Sequence, residues 1–177
     1  MAKVAIGDNA IQFHLKSTDG GMVSLDGLRD REAVVVAFWC NHCPYVIAWE
    51  DRFIRLQRDY ADKGVAFVAI CANDAVSYPQ DSFENMAKRA REKAYPFPYL
   101  YDETQEVASA YGAERTPEIF LFDGDLRLAY HGAIDDDHKD PAAVRRHFLR
   151  DAIDAVLAGQ APPVQETQPI GCSVKWK

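Results

Sequence analysis

From Gln12 to Ser24, apolar and polar residues alternate on either side of Thr18-Asp19-Gly20-Gly21, a pattern that predicts a β-hairpin closed by a glycine turn. Ala33 to Trp39 is an unbroken β-rich apolar run, the signature of a central strand covered on both faces. Pro44 suits the first position of a helix, where no N–H donor is needed. Val46, Trp49, Phe53, Leu56 and Tyr60 then recur at spacings of three and four as one apolar stripe. Lys63-Gly64 ends that helix, and Val65 to Cys71 reads as a second buried strand. Strand, helix and strand with short joints form a βαβ unit, expected to be parallel and right-handed.

Ser82 to Ala94, rich in Lys, Arg and Glu, predicts a second, exposed helix. Pro96-Phe97-Pro98 breaks the chain, and Thr104 to Tyr111 is a short helix closed by Gly112. Glu118 to Phe122, the Asp123-Gly124 turn and Leu126 to His131 predict an antiparallel hairpin, and Pro141 to Ala158 a last amphipathic helix. The order implies an α/β domain over residues 1–158, a mixed sheet between helices. The tail over residues 159–177 reads as extended and mobile.

At 177 residues, 48% hydrophobic and 27% charged, the chain fits one well-packed domain. A net charge of −7 argues against nucleic acid or an anionic membrane as partner. No stretch approaches the ~20 apolar residues of a membrane span. Met1 to Asp8 lacks the layout of a cleavable signal, so the chain reads as cytoplasmic. Four cysteines are too few for a disulfide scaffold of this size, and Cys40-Asn41-His42-Cys43 turns attention to redox chemistry. A helix N-terminus favours thiolate through its unpaired N–H groups. Cys40 is therefore expected to be the attacking thiolate, with a lowered pKa and more exposure than Cys43, which resolves the mixed disulfide.

Beyond the pair, Phe38-Trp39-Cys40-Asn41-His42-Cys43-Pro44 resembles the active-site segment of thioredoxin-like oxidoreductases. Asp19-Gly20, Val23-Ser24-Leu25 and the apolar strand resemble the redoxin branch, and Tyr111 to Asp123 resembles the segment bearing the cis-proline. The Gly171-to-Trp176 ending resembles that of a group of redoxin-domain proteins. The resemblance implies a thioredoxin-like fold with an N-terminal β-hairpin and an extra helical insertion. It also implies a cis Thr116–Pro117 bond facing the dithiol, with the Thr116 backbone free to bond an extended substrate. The expected activity is thiol-disulfide exchange on a protein or small-molecule substrate, with no cofactor and no metal.

Two departures stand out. His42 replaces the proline of thioredoxins and can stabilise the Cys40 thiolate, unless it is simply a solvated loop residue. Val34 stands where thioredoxins carry a buried aspartate, so Glu118, next to Pro117, is a candidate proton acceptor, or else a strand-end glutamate facing solvent. Trp39 belongs to the supporting set. Cys71 reads as an inert core thiol, Glu50 as structural, and Asp135-Asp136-Asp137 as a solvated loop. Cys172 is either a third redox thiol exchanging with the pair or incidental to an anchored tail. Two other readings stay open. A thiol peroxidase would use Cys43 as the attacking sulfur, with Arg115 resembling the distant arginine of peroxiredoxins. A soft-metal (copper) module would use both cysteines and His42.

Overall fold

The computed structural model describes residues 2–177. Its frame is a seven-stranded mixed sheet in the order β2-β1-β5-β4-β3-β7-β8. At its centre, β3 (Ala33–Phe38) is buried at every residue, as its continuous apolar sequence requires. It runs parallel to β4 (Val65–Cys71) and antiparallel to β7 (Glu118–Asp123). The crossover from β3 to β4 is α1 (Pro44–Tyr60), which buries the predicted stripe together with Glu50 and Ile54. The hairpin of β1 (His14–Ser17) and β2 (Met22–Ser24) forms one edge, and β8 (Leu128–Gly132) the other.

Successive residues of β3 face opposite cores. Val35, Ala37 and Trp39 pack with α1, with Met86 of α2 (Phe83–Glu92) and with Leu149 and Ile153 of α4 (Phe148–Leu157). Val34, Val36 and Phe38 pack with Tyr111 of α3 (Glu106–Tyr111) and with Phe120 and Phe122. Glu50 is structural: it is salt-bridged to Arg89 and accepts a hydrogen bond from the Tyr95 hydroxyl.

The structure corrects three expectations and adds one strand that the sequence left unassigned. Tyr99–Tyr101, directly after the proline break, is a strand (β5) that joins the hairpin to β4. Its two flanking strands supply the pairing that so short a segment cannot signal on its own. The last helix begins at Phe148. The Asp136 side chain accepts from the Arg145 N–H, and the Asp136 N–H donates to the Arg146 carbonyl, which holds that stretch out of helix. Asp135 is buried, accepting from the Trp49 indole and the Arg52 guanidinium.

The tail is docked rather than mobile. The His131 N–H donates to the Gln165 carbonyl and the Thr167 N–H to the His131 carbonyl. Thr167 lies so close to Gly132 that a Cβ on that glycine would sit 2.0 Å from its hydroxyl. Farther on, β9 (Cys172–Ser173) pairs antiparallel with β6 (Arg115–Thr116) as a separate two-stranded sheet.

Candidate active site

The sulfur site forms where β3 ends and α1 begins. Cys43 is the N-cap of α1 and Pro44 its first residue, so Cys40-Asn41-His42 is a loop between a fully buried strand and a helix N-terminus. That loop is tied to the turn at residues 79–81. The Asn41 N–H donates to Asp81 Oδ1 at 2.9 Å, and the Asn41 side-chain amide donates to the Gln80 carbonyl at 2.9 Å. The Tyr99 hydroxyl donates to Asn41 Oδ1 at 2.7 Å. Trp39 lies beneath the loop, its indole N–H donating to the Tyr95 hydroxyl at 3.1 Å.

Opposite the loop is Thr116-Pro117, joined by a cis peptide. Cys40 Sγ lies 3.5 Å from the Thr116 hydroxyl, and Cys43 Sγ lies 3.3 Å from the Thr116 carbonyl oxygen. One residue thus faces both sulfurs. Cys43 is disulfide-bonded to Cys172, brought there from 129 residues away by the β6–β9 pairing, whereas Cys40 is a free thiol.

Cys40 differs from the exposed, acidic thiol expected of it. It is 1% exposed against 2% for Cys43. Burial pushes its thiol up to about 11; the Thr116 hydroxyl and the Cys43 and His42 N–H groups pull the other way, and the Asp81 charge pushes up again. Cys71 is fully buried, with its thiol also pushed up by burial, and lies inert in the core.

Asp81 carries no signal in the sequence. In the fold it is fully buried and accepts from the Asn73 amide at 2.9 Å as well as from Asn41. His42 Nδ1 lies 3.1 Å from Asp81 Oδ2, without the alignment of a hydrogen bond. Cys40, His42 and Asp81 offer ligand atoms all within 4.8 Å of one another. With Cys43 Sγ taken by Cys172, a cation would find one soft, one borderline and one hard ligand, a set nearer to zinc than to copper(I).

Glu118 is buried but looks elsewhere. Its Oε1 accepts from the N–H groups of Glu114 and Arg115 at 2.9 and 3.0 Å, and its Oε2 lies 2.8 Å from His131 Nε2. It sits on the sheet face of Phe38 and Phe120, opposite the core that holds Cys40 and Cys43. Its bonds shape the loop before Pro117. Arg115 is exposed.

The tail is clipped beyond Cys172. The Val174 N–H donates to the Glu114 carbonyl at 2.9 Å, and the Lys175 N–H donates to Asn73 Oδ1 at 2.9 Å. The Lys175 carbonyl accepts from the Asp74 N–H at 2.8 Å and the Gln105 amide at 2.9 Å. Asn73 therefore touches both the docked tail and Asp81. Sequence reasoning missed Asn73 and Gln105, whose contacts are purely tertiary. Among the described residues, no helix is long and apolar enough to cross a membrane.

Known proteins share this fold. A solved structure of an uncharacterized conserved protein from Geobacillus kaustophilus superposes with a TM-score of 0.93 at 47% identity, over 98% of this chain and 93% of that one. A hypothetical protein from Sinorhizobium meliloti 1021 does so with a TM-score of 0.91 at 38% identity, over 99% and 96%. Thiol-disulfide oxidoreductase ResA of Halalkalibacterium halodurans is 26% identical over 115 residues, 65% of this chain, and the match spans 61% of that relative's length. The fold is thioredoxin-like. The AhpC/TSA family model matches residues 6–131, and with that match the chain belongs to the AhpC/TSA family, in the redoxin branch of the thioredoxin-like superfamily.

Proposed function

We propose that the protein is a thiol-disulfide oxidoreductase whose redox groups are Cys40, Cys43 and Cys172, with Thr116 and Pro117 forming the substrate-facing edge. The observation that carries this reading is the disulfide from Cys43 to a docked strand, with the Cys40 thiol waiting beside it. The arrangement has the form of a mixed disulfide between an oxidoreductase and an extended polypeptide.

In the reductive direction we assign the attack to Cys43, the sulfur bonded to the docked strand, in place of the Cys40 expected from the sequence: the Cys43 thiolate attacks one sulfur of a substrate disulfide. A Cys43–substrate bond forms, the substrate S–S bond breaks, and the first substrate thiolate leaves and takes up a proton. Cys40 or Cys172 then attacks Cys43 Sγ and releases the second thiolate. The substrate gains two electrons, the protein ends with one disulfide, and an external dithiol restores it. Cys40 and Cys172 interchange by attack of the Cys40 thiolate on Cys43 Sγ, which expels Cys172 without net oxidation. Cys40 must first lose its proton, and Asp81 is the buried carboxylate within 4.8 Å that could take it. Thiol-disulfide oxidoreductases act on thiol or disulfide substrates generally, and a protein partner fits the strand-shaped docking edge.

One observation favours a second reading. Cys43 is bonded to Cys172 rather than to Cys40, which suits a thiol peroxidase of this family. There the Cys43 thiolate would reduce a peroxide to an alcohol or water, becoming a sulfenic acid, and Cys172 would condense with it, expelling water. Steady-state assays on Cys40→Ser, Cys43→Ser and Cys172→Ser separate the two. For the oxidoreductase, disulfide reduction is abolished in Cys43→Ser and peroxide consumption stays at background. Peroxide turnover that survives Cys40→Ser and fails in Cys172→Ser favours the peroxidase.

A further inference from the structure

The docked tail is more than a cover; its fit to the β6 edge states what that edge accepts. The Thr116↔Cys172 and Arg115↔Ser173 register, with the Val174 N–H bonded to Glu114, makes an antiparallel ladder beside Pro117. Alternation sends Cys172 and Val174 inward and Ser173 outward. Val174 is 5% exposed, and Ser173 is exposed. Past Val174, the Lys175 backbone is gripped by Asn73, Asp74 and Gln105, contacts that any residue could supply.

The position before the cysteine is different. A Cβ built on Gly171 would sit 2.3 Å from the Thr116 carbonyl oxygen and 2.7 Å from its carbon. Those atoms are backbone in the two-residue β6 next to Pro117, so they cannot turn aside as a side-chain tip would. The crowding fixes glycine immediately before the reacting cysteine, and the inward Val174 side chain asks for an aliphatic residue two positions after it.

We propose that the substrates of this site are extended polypeptide segments of the form glycine, cysteine, any residue, aliphatic residue, and that residues 171–174 are the chain's own copy of that motif. The inference rests on the oxidoreductase reading and adds its substrate class. The tail then competes with substrate from the same groove. Tethered by its own chain, it acts at an effective concentration of order millimolar. A partner segment enters once Cys172 has been released from Cys43 and the tail has withdrawn.

The test uses the full chain as the Cys40→Ser/Cys172→Ser variant, in which Cys43 is the one exchangeable thiol near the edge. The probes are symmetrical disulfides of a hexapeptide with the sequence of residues 171–176 and of its Gly171→Ala, Val174→Asp and Ser173→Ala counterparts. Attack by Cys43 forms a Cys43–peptide disulfide, breaks the peptide–peptide bond and releases one peptide thiol. Adduct formation is followed by intact mass, and the site is located by digestion. The parent peptide and its Ser173→Ala counterpart are expected to react at similar rates, with the Gly171→Ala peptide slower by about tenfold or more, as an overpacked contact dictates. The Val174→Asp peptide is expected to be slowed as well. Reduced wild-type protein turning over the same peptides gives the same ranking independently of how the variant folds. Equal rates for the glycine and alanine peptides overturn the motif and leave the oxidoreductase reading standing. No adduct with any peptide, while iodoacetamide still labels Cys43, overturns both.

Discussion

Two buried carboxylates flank the site, alike in chemistry and opposite in effect. Asp81 and Glu118 are 0% and 1% exposed, and each accepts two N–H bonds with a histidine close to its second oxygen. Glu118 holds the N–H groups of residues 114 and 115, so its charge sets the shape of the docking edge. Asp81 holds the Cys40–Cys43 loop from inside, and its charge reaches Cys40. Burial and hydrogen bonding alone therefore do not identify a proton acceptor. What separates the two is place: Asp81 bonds the Cys40–Cys43 loop, whereas Glu118 bonds residues 114 and 115.

The comparison breaks most visibly at Asp81. Asp81→Asn removes the base and one source of the raised Cys40 pKa together. In the Cys172→Ser background, where Cys40 alone resolves, disulfide reduction at neutral pH is expected to fall on the order of a hundredfold. In the oxidised chain, iodoacetamide labelling of Cys40, which proceeds through the thiolate, is expected to rise with pH through about 11. In the variant that midpoint moves down. An unchanged pH–rate profile and an unchanged midpoint would remove Asp81 from the chemistry. Glu118→Gln is the counterpart. It weakens the bonds to residues 114 and 115, and urea unfolding is expected to register a loss of about 1–3 kcal/mol. The Cys40 labelling midpoint should not move; if it does, the two carboxylates are not separate in function. The smallest expected effect is at the tail clip. Gln105→Ala removes the amide that donates to the Lys175 carbonyl. It is expected to cost about 0.5–1.5 kcal/mol, read as faster hydrogen exchange of the Val174 and Lys175 amides with no change in labelling of Cys40 in the reduced protein.

The fold was legible wherever one period dominated. Ala33 to Phe38, the stripe from Val46 to Tyr60, and the Asp123-Gly124 turn read directly as strand, helix and hairpin. The loop's cysteines and Pro117 were legible because strand-to-helix joints and X-Pro bonds carry local signatures. Tyr99–Tyr101 was not, since three residues after a proline pair show no alternation, and pairing with β4 and β1 makes the strand. Nor was the state of Cys40. A helix N-terminus favours thiolate, but burial in the folded core outweighs it, and the charge of Asp81, which adds to that, comes from 41 residues away (81 − 40). Cys172 could be flagged by its small neighbours and by the reach of its tail, but its partner Cys43 could not be chosen without the β6–β9 register. Glu118 was visible for its place beside Pro117, and its role turned on which face of β7 it occupies.

Exchange among Cys40, Cys43 and Cys172 is the centre of this account, and disulfide mapping tests it most directly. Wild-type protein and Cys172→Ser would be oxidised under graded diamide, quenched in acid, alkylated and digested for mass spectrometry. The account predicts a Cys43–Cys172 linkage with alkylated Cys40 in the wild type, and a Cys40–Cys43 linkage in Cys172→Ser. A wild-type chain in which Cys172 stays a free thiol across the series would contradict it.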